Sequence, residues 1–178
     1  MLVRLLWLLT LVLVLISVAM VTRRTLTLFG LISAPSALSG SAPLDAAFIR
    51  YAPLTMLHIL PGLIFVGLGP LQFVTTLRTR RPRLHRRVGR IVLVSGLVTG
   101  VTALAMTMQM AIGGATERAA TVLFGLLFLF ALGRAFVCIR RRQVVLHREW
   151  MIRAFSLGLA VATVRPIVGA FFATQSLT

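Results

Sequence analysis

The stretch RTRRPRLHRRVGR at residues 78–90 runs directly into IVLVSGLVTGVTALAMTMQMAI at residues 91–112. Seven arginines lie in the first stretch, and the second carries no charged side chain. About 20 apolar residues in a helix span the ~30 Å hydrocarbon core of a bilayer. Within lipid, backbone N–H and C=O groups find partners only inside the chain, which makes such a span helical. The junction between Arg90 and Ile91 therefore predicts a helix that enters a bilayer from an arginine-rich face.

Four more apolar stretches of similar length accompany this one. They run from about Leu5 to Val21, from Leu54 to Thr76, from Ala119 to Ile139 and from Met151 to Thr174. Hydrophobic residues make up 58% of the chain and charged residues only 12%, whereas soluble domains carry about 25% charged residues. We therefore expect an all-α polytopic membrane protein with five transmembrane helices. The first stretch is expected to be a retained helix, because its apolar run is long and no small-residue cleavage site follows it.

The charge is one-sided. All 19 basic residues are arginines, only 3 residues are acidic, and the net charge is +16. The arginines concentrate in the links at 77–90 and 139–149, which the positive-inside rule places in the cytoplasm. The N-terminus is then inside and the C-terminus outside a bacterial cytoplasmic membrane. Because the arginines border apolar runs, we expect them to meet anionic lipid rather than nucleic acid.

An internal repeat relates the two arginine-rich links. Residues 77–97 align with residues 139–159 without a gap, and seven positions are identical, including both Leu-His-Arg triplets. The helices that follow run in the same direction, so the repeat is predicted to be parallel, with its axis along the membrane normal. The second to fifth helices would then form a four-helix bundle of two related hairpins. We expect an N-terminal helix and extracytoplasmic loop at 1–50 and a four-helix domain at 51–178, with repeat halves at about 54–112 and 119–174.

The repeat places His85 and His147 at equivalent positions, just before two helices. Two histidines that face each other across a bundle suit the axial ligands of a haem b iron, or two ligands of a metal ion. Glycines on the same helical face as His85 would let a flat macrocycle lie close, and nearby arginines would bind haem propionates or lipid phosphates. Those arginines are Arg86, Arg90 and Arg148. The alternative is that the glycines pack helices and that the histidines only cap them.

Three further ionisable positions stand out. His58 and Arg165 are predicted to lie at similar depth near the outer side, where they would line a polar membrane pocket or serve as a third cofactor-binding position. In the alternative, His58 bonds a backbone carbonyl and Arg165 extends toward the interface. Glu149 is expected to form a structural ion pair with Arg134 or Arg153. A single cysteine, Cys138, excludes an intrachain disulfide and a multi-thiolate metal site.

Four motifs together resemble a bacterial family of predicted membrane proteins catalogued as domain of unknown function 2306. The motifs are Leu57-His58, GPLQF at 69–73, RPRLHRRVGR at 81–90 and LHREWMIRAFSLGLAVATVR at 146–165. The resemblance covers residues 50–170, supports the helical membrane fold and adds Gln72 to the pocket of His58 and Arg165. It points to His58, Gln72, His85, Arg86, Gly89, Arg90, His147, Met151, Arg153 and Arg165. Family members often have Arg-Ser-Tyr where this chain has Arg-Ala-Phe at 153–155, so any role of that hydroxyl is absent here.

The sequence favours no enzymatic activity, because it lacks paired carboxylates for acid–base chemistry. The leading hypothesis is a non-catalytic subunit or assembly factor that binds a larger membrane complex through its helices and anionic lipid through its loops. The alternative is a membrane redox carrier in which His85 and His147 ligate haem b. A weaker alternative is a transporter for a small anion, with arginines at the helix ends.

Overall fold

The computed structural model describes residues 1–31, 42–110 and 114–175, apart from the side chains of 42–45, 161–163 and 165–175. Within these ranges the chain forms seven α-helices and one short 3₁₀ segment, and it contains no strand. The helices are α1 (Leu2–Leu28), α2 (Ala42–Arg50), α3 (Ala52–Leu68), α4 (Thr75–Arg80), α5 (Pro82–Met110), α6 (Gly114–Arg140) and α7 (Val144–Gln175).

Four helices of the described part are long and apolar enough to cross a membrane: α1, α3 with its 3₁₀ extension, α5 and α6. The fifth predicted span lies within α7, which is 32 residues long. Helices α5 and α7 begin several residues before their apolar stretches, because arginine side chains can keep their charged ends in water while the helix continues. The predicted all-helical, multi-pass class is thus confirmed.

The second predicted span is not one continuous helix. Helix α3 ends at Leu68, a 3₁₀ segment follows at Gly69–Phe73, and α4 begins at Thr75. Pro70 stands in the first turn of the 3₁₀ segment, and proline cannot continue an α-helix because it lacks an N–H and clashes with the preceding turn. Pro61, by contrast, lies inside α3 without ending it. The second span therefore consists of α3 and its 3₁₀ extension and ends at Phe73 rather than at Thr76.

The turn between α6 and α7 is tight and closed by two hydrogen bonds. The N–H of Gln143 donates to the carbonyl of Cys138 at 2.9 Å, and the N–H of Arg142 donates to Ile139 at 3.0 Å. This pattern is a Schellman motif, which needs one left-handed residue just past the helix. Arg142 takes that role with φ of 60°, a conformation uncommon for a residue that bears a side chain.

The helices pack in chain order, with α3 against α5, α5 against α6, and α6 against α7. Helix α1 lies against α3 and α7. Phe65 of α3 is the central side chain of the core, with only 1% of its surface exposed. Its ring meets Phe128 of α6 edge-on at a centroid distance of 5.3 Å and Phe155 of α7 at 5.9 Å. One aromatic cluster therefore joins three helices.

The outer walls of the bundle are apolar. In α6, the side chains of Leu123, Phe124, Leu127 and Phe130 are 43–57% exposed. The most apolar 18-residue window of α1 contains no buried residue. Exposed rows of large apolar side chains are costly in water, so this surface fits a hydrocarbon environment.

Candidate functional site

Polar side chains gather at the arginine-rich end of the bundle, where α4 packs against α5 and where α7 begins. His147 of α7 is fixed by a hydrogen bond of 2.8 Å between its Nδ1 and the carbonyl oxygen of Ala135 in α6. Because a carbonyl only accepts, Nδ1 carries the hydrogen and, in the neutral ring, Nε2 is an acceptor. This bond sets the orientation of His147 and ties the start of α7 to the preceding helix.

Two buried nitrogen atoms of this cluster have no hydrogen-bond partner within the described residues. They are Nδ1 of His85 and Nε2 of Gln72. The amide of Gln72, in the 3₁₀ segment, packs on Gly89 of α5, where a Cβ atom would lie only 3.0 Å from its Oε1. His85 precedes Gly89 by one helical turn, so it shares that face of the helix. A buried polar group without a partner is uncommon in proteins and calls for an explanation.

Positive charge surrounds this pair. His85 lies in the arginine-rich first turns of α5, before the uncharged part begins at Ile91. Burial lowers the pKa of His85 below its ordinary value, and the charges of Arg78, His147 and Arg86 lower that pKa further. The same positive charges oppose the binding of a metal ion at this position. Among the described residues, no three His, Cys, Asp or Glu side chains form a metal-binding group.

The packing does not fit a haem between the two histidines. The glycine faces expected to receive a macrocycle are filled by side chains of neighbouring helices. Gln72 covers Gly89, Phe65 and Leu132 cover Gly96, and Leu129 and Phe128 cover Gly100. Two depressions of the described surface are lined by arginines and neighbouring residues, and by neither His85 nor His147. We therefore expect no Soret band in the purified protein; a band that disappears in His85→Ala would contradict this packing.

The structure describes two of the three side chains of the predicted polar pocket, those of His58 and Gln72. His58 of α3 donates from Nδ1 to the carbonyl oxygen of Thr99 at 3.1 Å, and its Nδ1 lies 3.1 Å from Oγ1 of Thr102. Gln72 instead contacts Gly89, nearly three turns earlier along α5. His58 and Gln72 thus contact α5 at levels nearly three turns apart, so the structure does not bring these two side chains together. The side chain of Arg165 lies outside the described residues.

Two surface depressions lie along the elbow between α4 and α5, which we define as residues 75–90. One has a volume of about 440 Å³ and is lined by Arg80, Arg81, Pro82, Arg83, Leu84 and Arg87. The other has a volume of about 150 Å³ and is lined by Arg83, Arg86, Arg87 and Arg90. The structure thus brings Arg86 and Arg90 to one depression, whereas Arg148 is exposed on α7. Closely spaced guanidinium groups of this kind are suited to phosphate.

The expected ion pair of Glu149 forms with Arg153 at 3.5 Å, one turn along α7. Both side chains are about half exposed, and such pairs contribute little to stability. Arg134, the other candidate partner, lies over the ring of Trp150 at 5.7 Å from its centroid, and Arg153 lies 4.8 Å from the same ring. The ring of Trp150 therefore makes cation–π contacts with two guanidinium groups, which suits a tryptophan at a membrane interface.

Several contributors were missed by sequence reasoning. Arg78 is the arginine with the largest effect on His85, but nothing in the sequence distinguishes it from its six neighbours. Thr99 and Thr102 hold His58 through a carbonyl and a hydroxyl. The helical spacing of these two threonines on α5 was the only available signal, and it gives no information about which helix lies opposite.

The comparisons with known proteins agree with this fold. The sequence model of the family described as predicted membrane protein (DUF2306) matches residues 55–178. Neither the curated proteins nor the solved structures give a match. The matched region begins in α3 and includes the 3₁₀ segment, the elbow and both Leu-His-Arg triplets of this chain. The chain therefore belongs to the DUF2306 family of predicted membrane proteins.

Proposed function

We propose that this protein is a non-catalytic subunit or assembly factor of a larger membrane complex. It crosses a bacterial cytoplasmic membrane five times, with the N-terminus and both arginine-rich links in the cytoplasm and the C-terminus outside. Helices α3, α5, α6 and α7 act as two related hairpins, and α1 is an added outer helix.

The arrangement of helix starts supports the two-hairpin reading. Helix α5 begins at Pro82 and α7 at Val144, and these positions coincide in the alignment of 77–97 with 139–159. His85 and His147 are close enough to interact electrostatically, so both helices start at the same end. The concentration of arginines at that end supports a cytoplasmic location.

The observation that carries the proposal is the uncovered aromatic row of α6. Phe124 and Phe130 are 56% and 57% exposed. Among the described helices α6 packs mainly against α5 and α7, and its Phe128 also meets Phe65 of α3. Aromatic side chains are enriched where proteins contact each other. The histidines His58 and His147 bond to backbone carbonyls within the bundle, whereas the exposed aromatic face of α6 is available to a partner.

Isolation of the tagged chain from its own membranes in mild detergent tests this proposal. We expect the wild-type protein to migrate on a native gel in an assembly of defined mass, with a partner present in a fixed ratio. The double variant Phe124→Ala/Leu127→Ala should reduce the amount of that assembly several-fold, since central aromatic contacts dominate interface energies. The matched control is Leu8→Ala/Leu11→Ala on the exposed side of α1, which should leave it unchanged. A wild-type protein that is monodisperse and alone would refute the proposal.

A further inference from the structure

We propose that the elbow binds a phospholipid that carries two phosphate groups, with one phosphate in each of its two arginine-lined depressions. The depressions share Arg83 and Arg87 as lining residues, so they adjoin each other. This inference goes beyond the partner complex proposed above and does not require it, because it concerns different residues from the aromatic row of α6.

The first argument is the lining of the depressions. Apart from Pro82 and Leu84, every lining residue is an arginine. The arginines are Arg80, Arg81, Arg83, Arg86, Arg87 and Arg90, and all six are exposed. No acidic side chain of the described residues lines either depression. The positive charge of this surface is therefore left for an external anion to compensate, and an anion can reach it.

The second argument is the spacing of the arginines along α5. Arg83, Arg86, Arg87 and Arg90 all lie within about 100° of one helical face, since each residue turns the helix by about 100°. Guanidinium groups that are three and four residues apart are neighbours and repel each other. Phosphate oxygens accept paired hydrogen bonds from guanidinium groups and remove that repulsion.

The third argument is depth in the membrane. The 20 residues from Ile91 to Met110 are uncharged, and at 1.5 Å per residue they extend about 30 Å, the thickness of the hydrocarbon core. Arg90 then lies at the edge of the hydrocarbon, and Arg83 lies about 10 Å further out. This range covers the headgroup layer, which is about 5–8 Å thick on each side. Lipid phosphates are concentrated at this level, so the expected occupant is a lipid rather than a soluble phosphate.

The fourth argument is the number of arginines. A lipid phosphodiester carries one negative charge, so a single phosphate would leave most of the charge of the elbow uncompensated. Two phosphates in one headgroup compensate twice as much. Once the first phosphate is bound, the short link between the two holds the second at a high effective concentration, which raises the overall affinity without any new kind of contact.

Native mass spectrometry of the full chain in neutral detergent tests the proposal, at about 0.15 M ionic strength, where the Debye length is about 8 Å. Cardiolipin is the probe with two phosphates, phosphatidylglycerol is the probe with one, and phosphatidylcholine is the zwitterionic control. Inorganic diphosphate is added in a separate arm as a soluble probe. We expect the wild-type chain to bind cardiolipin at least about tenfold more tightly than phosphatidylglycerol at equal phosphate concentration.

The variant Arg83→Gln/Arg87→Gln removes the two side chains that both depressions share. It should weaken cardiolipin binding about 25-fold, since each arginine near a lipid surface contributes about fivefold. The matched control is Arg140→Gln/Arg141→Gln, which removes the same charge from exposed positions in the other arginine-rich link. Because screening limits the reach of those charges, the control should weaken binding by less than about threefold.

The variant Arg86→Gln/Arg90→Gln tests the two-phosphate feature, because these residues line only the smaller depression. It should reduce the advantage of cardiolipin over phosphatidylglycerol to less than about threefold, while phosphatidylglycerol still binds in the larger depression. All the substituted positions are exposed, so unchanged thermal melting is expected and verifies that the variants fold.

Three outcomes would overturn the proposal. Equal losses in Arg83→Gln/Arg87→Gln and in its control would indicate diffuse attraction alone. Retention of phosphatidylglycerol as firmly as cardiolipin would exclude a site for two linked phosphates. Binding of inorganic diphosphate as tightly as cardiolipin would assign the depressions to a soluble ligand. None of these results depends on whether the chain also belongs to a larger complex.

Discussion

Replacing Phe65 by alanine is expected to lower the free energy of unfolding of the bundle by about 3 kcal/mol. The ring is 1% exposed and contacts the rings of Phe128 and Phe155. It also lies on Gly96 and Gly158, where added Cβ atoms would come within 2.8 Å and 2.7 Å of it. In a membrane the loss is mainly one of packing, because lipid is as apolar as the protein interior. Reversible unfolding in mixed micelles measures the change.

The matched control for this substitution is Phe124→Ala. Phe124 has the same side chain but is 56% exposed on the outer wall of α6. Its removal should change the free energy of unfolding by less than about 0.5 kcal/mol, as for most surface positions. Equal losses in the two variants would mean that the aromatic cluster around Phe65 does not hold the helices together.

Adding a single methyl group at Gly96 is expected to destabilise the bundle by about 1–3 kcal/mol. The new Cβ of Gly96→Ala would lie 2.8 Å from Cδ2 of Phe65 and 2.9 Å from Cδ1 of Leu132. Both of those side chains are buried, so neither can move away without opening another contact. The effect is measured by heating the protein in detergent and recording the temperature at which its monodisperse peak is lost.

The control for this variant is Gly133→Ala, which should not destabilise the protein. Gly133 lies in the middle of α6, is exposed, and has nothing within 4 Å of an added Cβ. Gly133→Ala should therefore leave the protein unchanged or stabilise it by about 0.5–1 kcal/mol, because alanine loses less backbone freedom than glycine in a helix. If Gly96→Ala also stabilised the protein, the close contact between α3 and α5 would be wrong.

The membrane character of the chain could be predicted because hydrocarbon imposes one strong requirement, namely internal backbone hydrogen bonding over about 20 residues. That requirement predicts that a membrane-spanning helix exists, but it says little about the residues at which the helix begins and ends. The sequence predicts one continuous span through Gly69–Phe73, where the structure has a 3₁₀ segment. A proline kink and a helix end look alike in sequence. The long arginine-bearing starts of α5 and α7 were missed, because side chains that reach water allow the helix to continue beyond the apolar stretch.

The candidate site was less predictable because it depends on which side chains lie opposite each other. Spacing placed His85 and Gly89 on one face correctly, but it could not show that Gln72 fills the space above Gly89. A glycine face suits a macrocycle or a neighbouring side chain equally well, and only the packing distinguishes the two. The ion pair of Glu149 with Arg153 could be anticipated, since both residues lie on one helix one turn apart.

The turn between α6 and α7 has a consequence for how the protein is made. Its left-handed residue is Arg142, where glycine would avoid a backbone penalty of about 1–2 kcal/mol. Yet a charged residue resists translocation by about 3 kcal/mol at mid-bilayer on insertion scales, and Arg140 and Arg141 stand beside it. The turn between α6 and α7 should therefore stay on the side of the membrane where the protein is synthesised, while both helices enter the bilayer together. With the proposed orientation, folding favours glycine at this position and membrane insertion favours arginine.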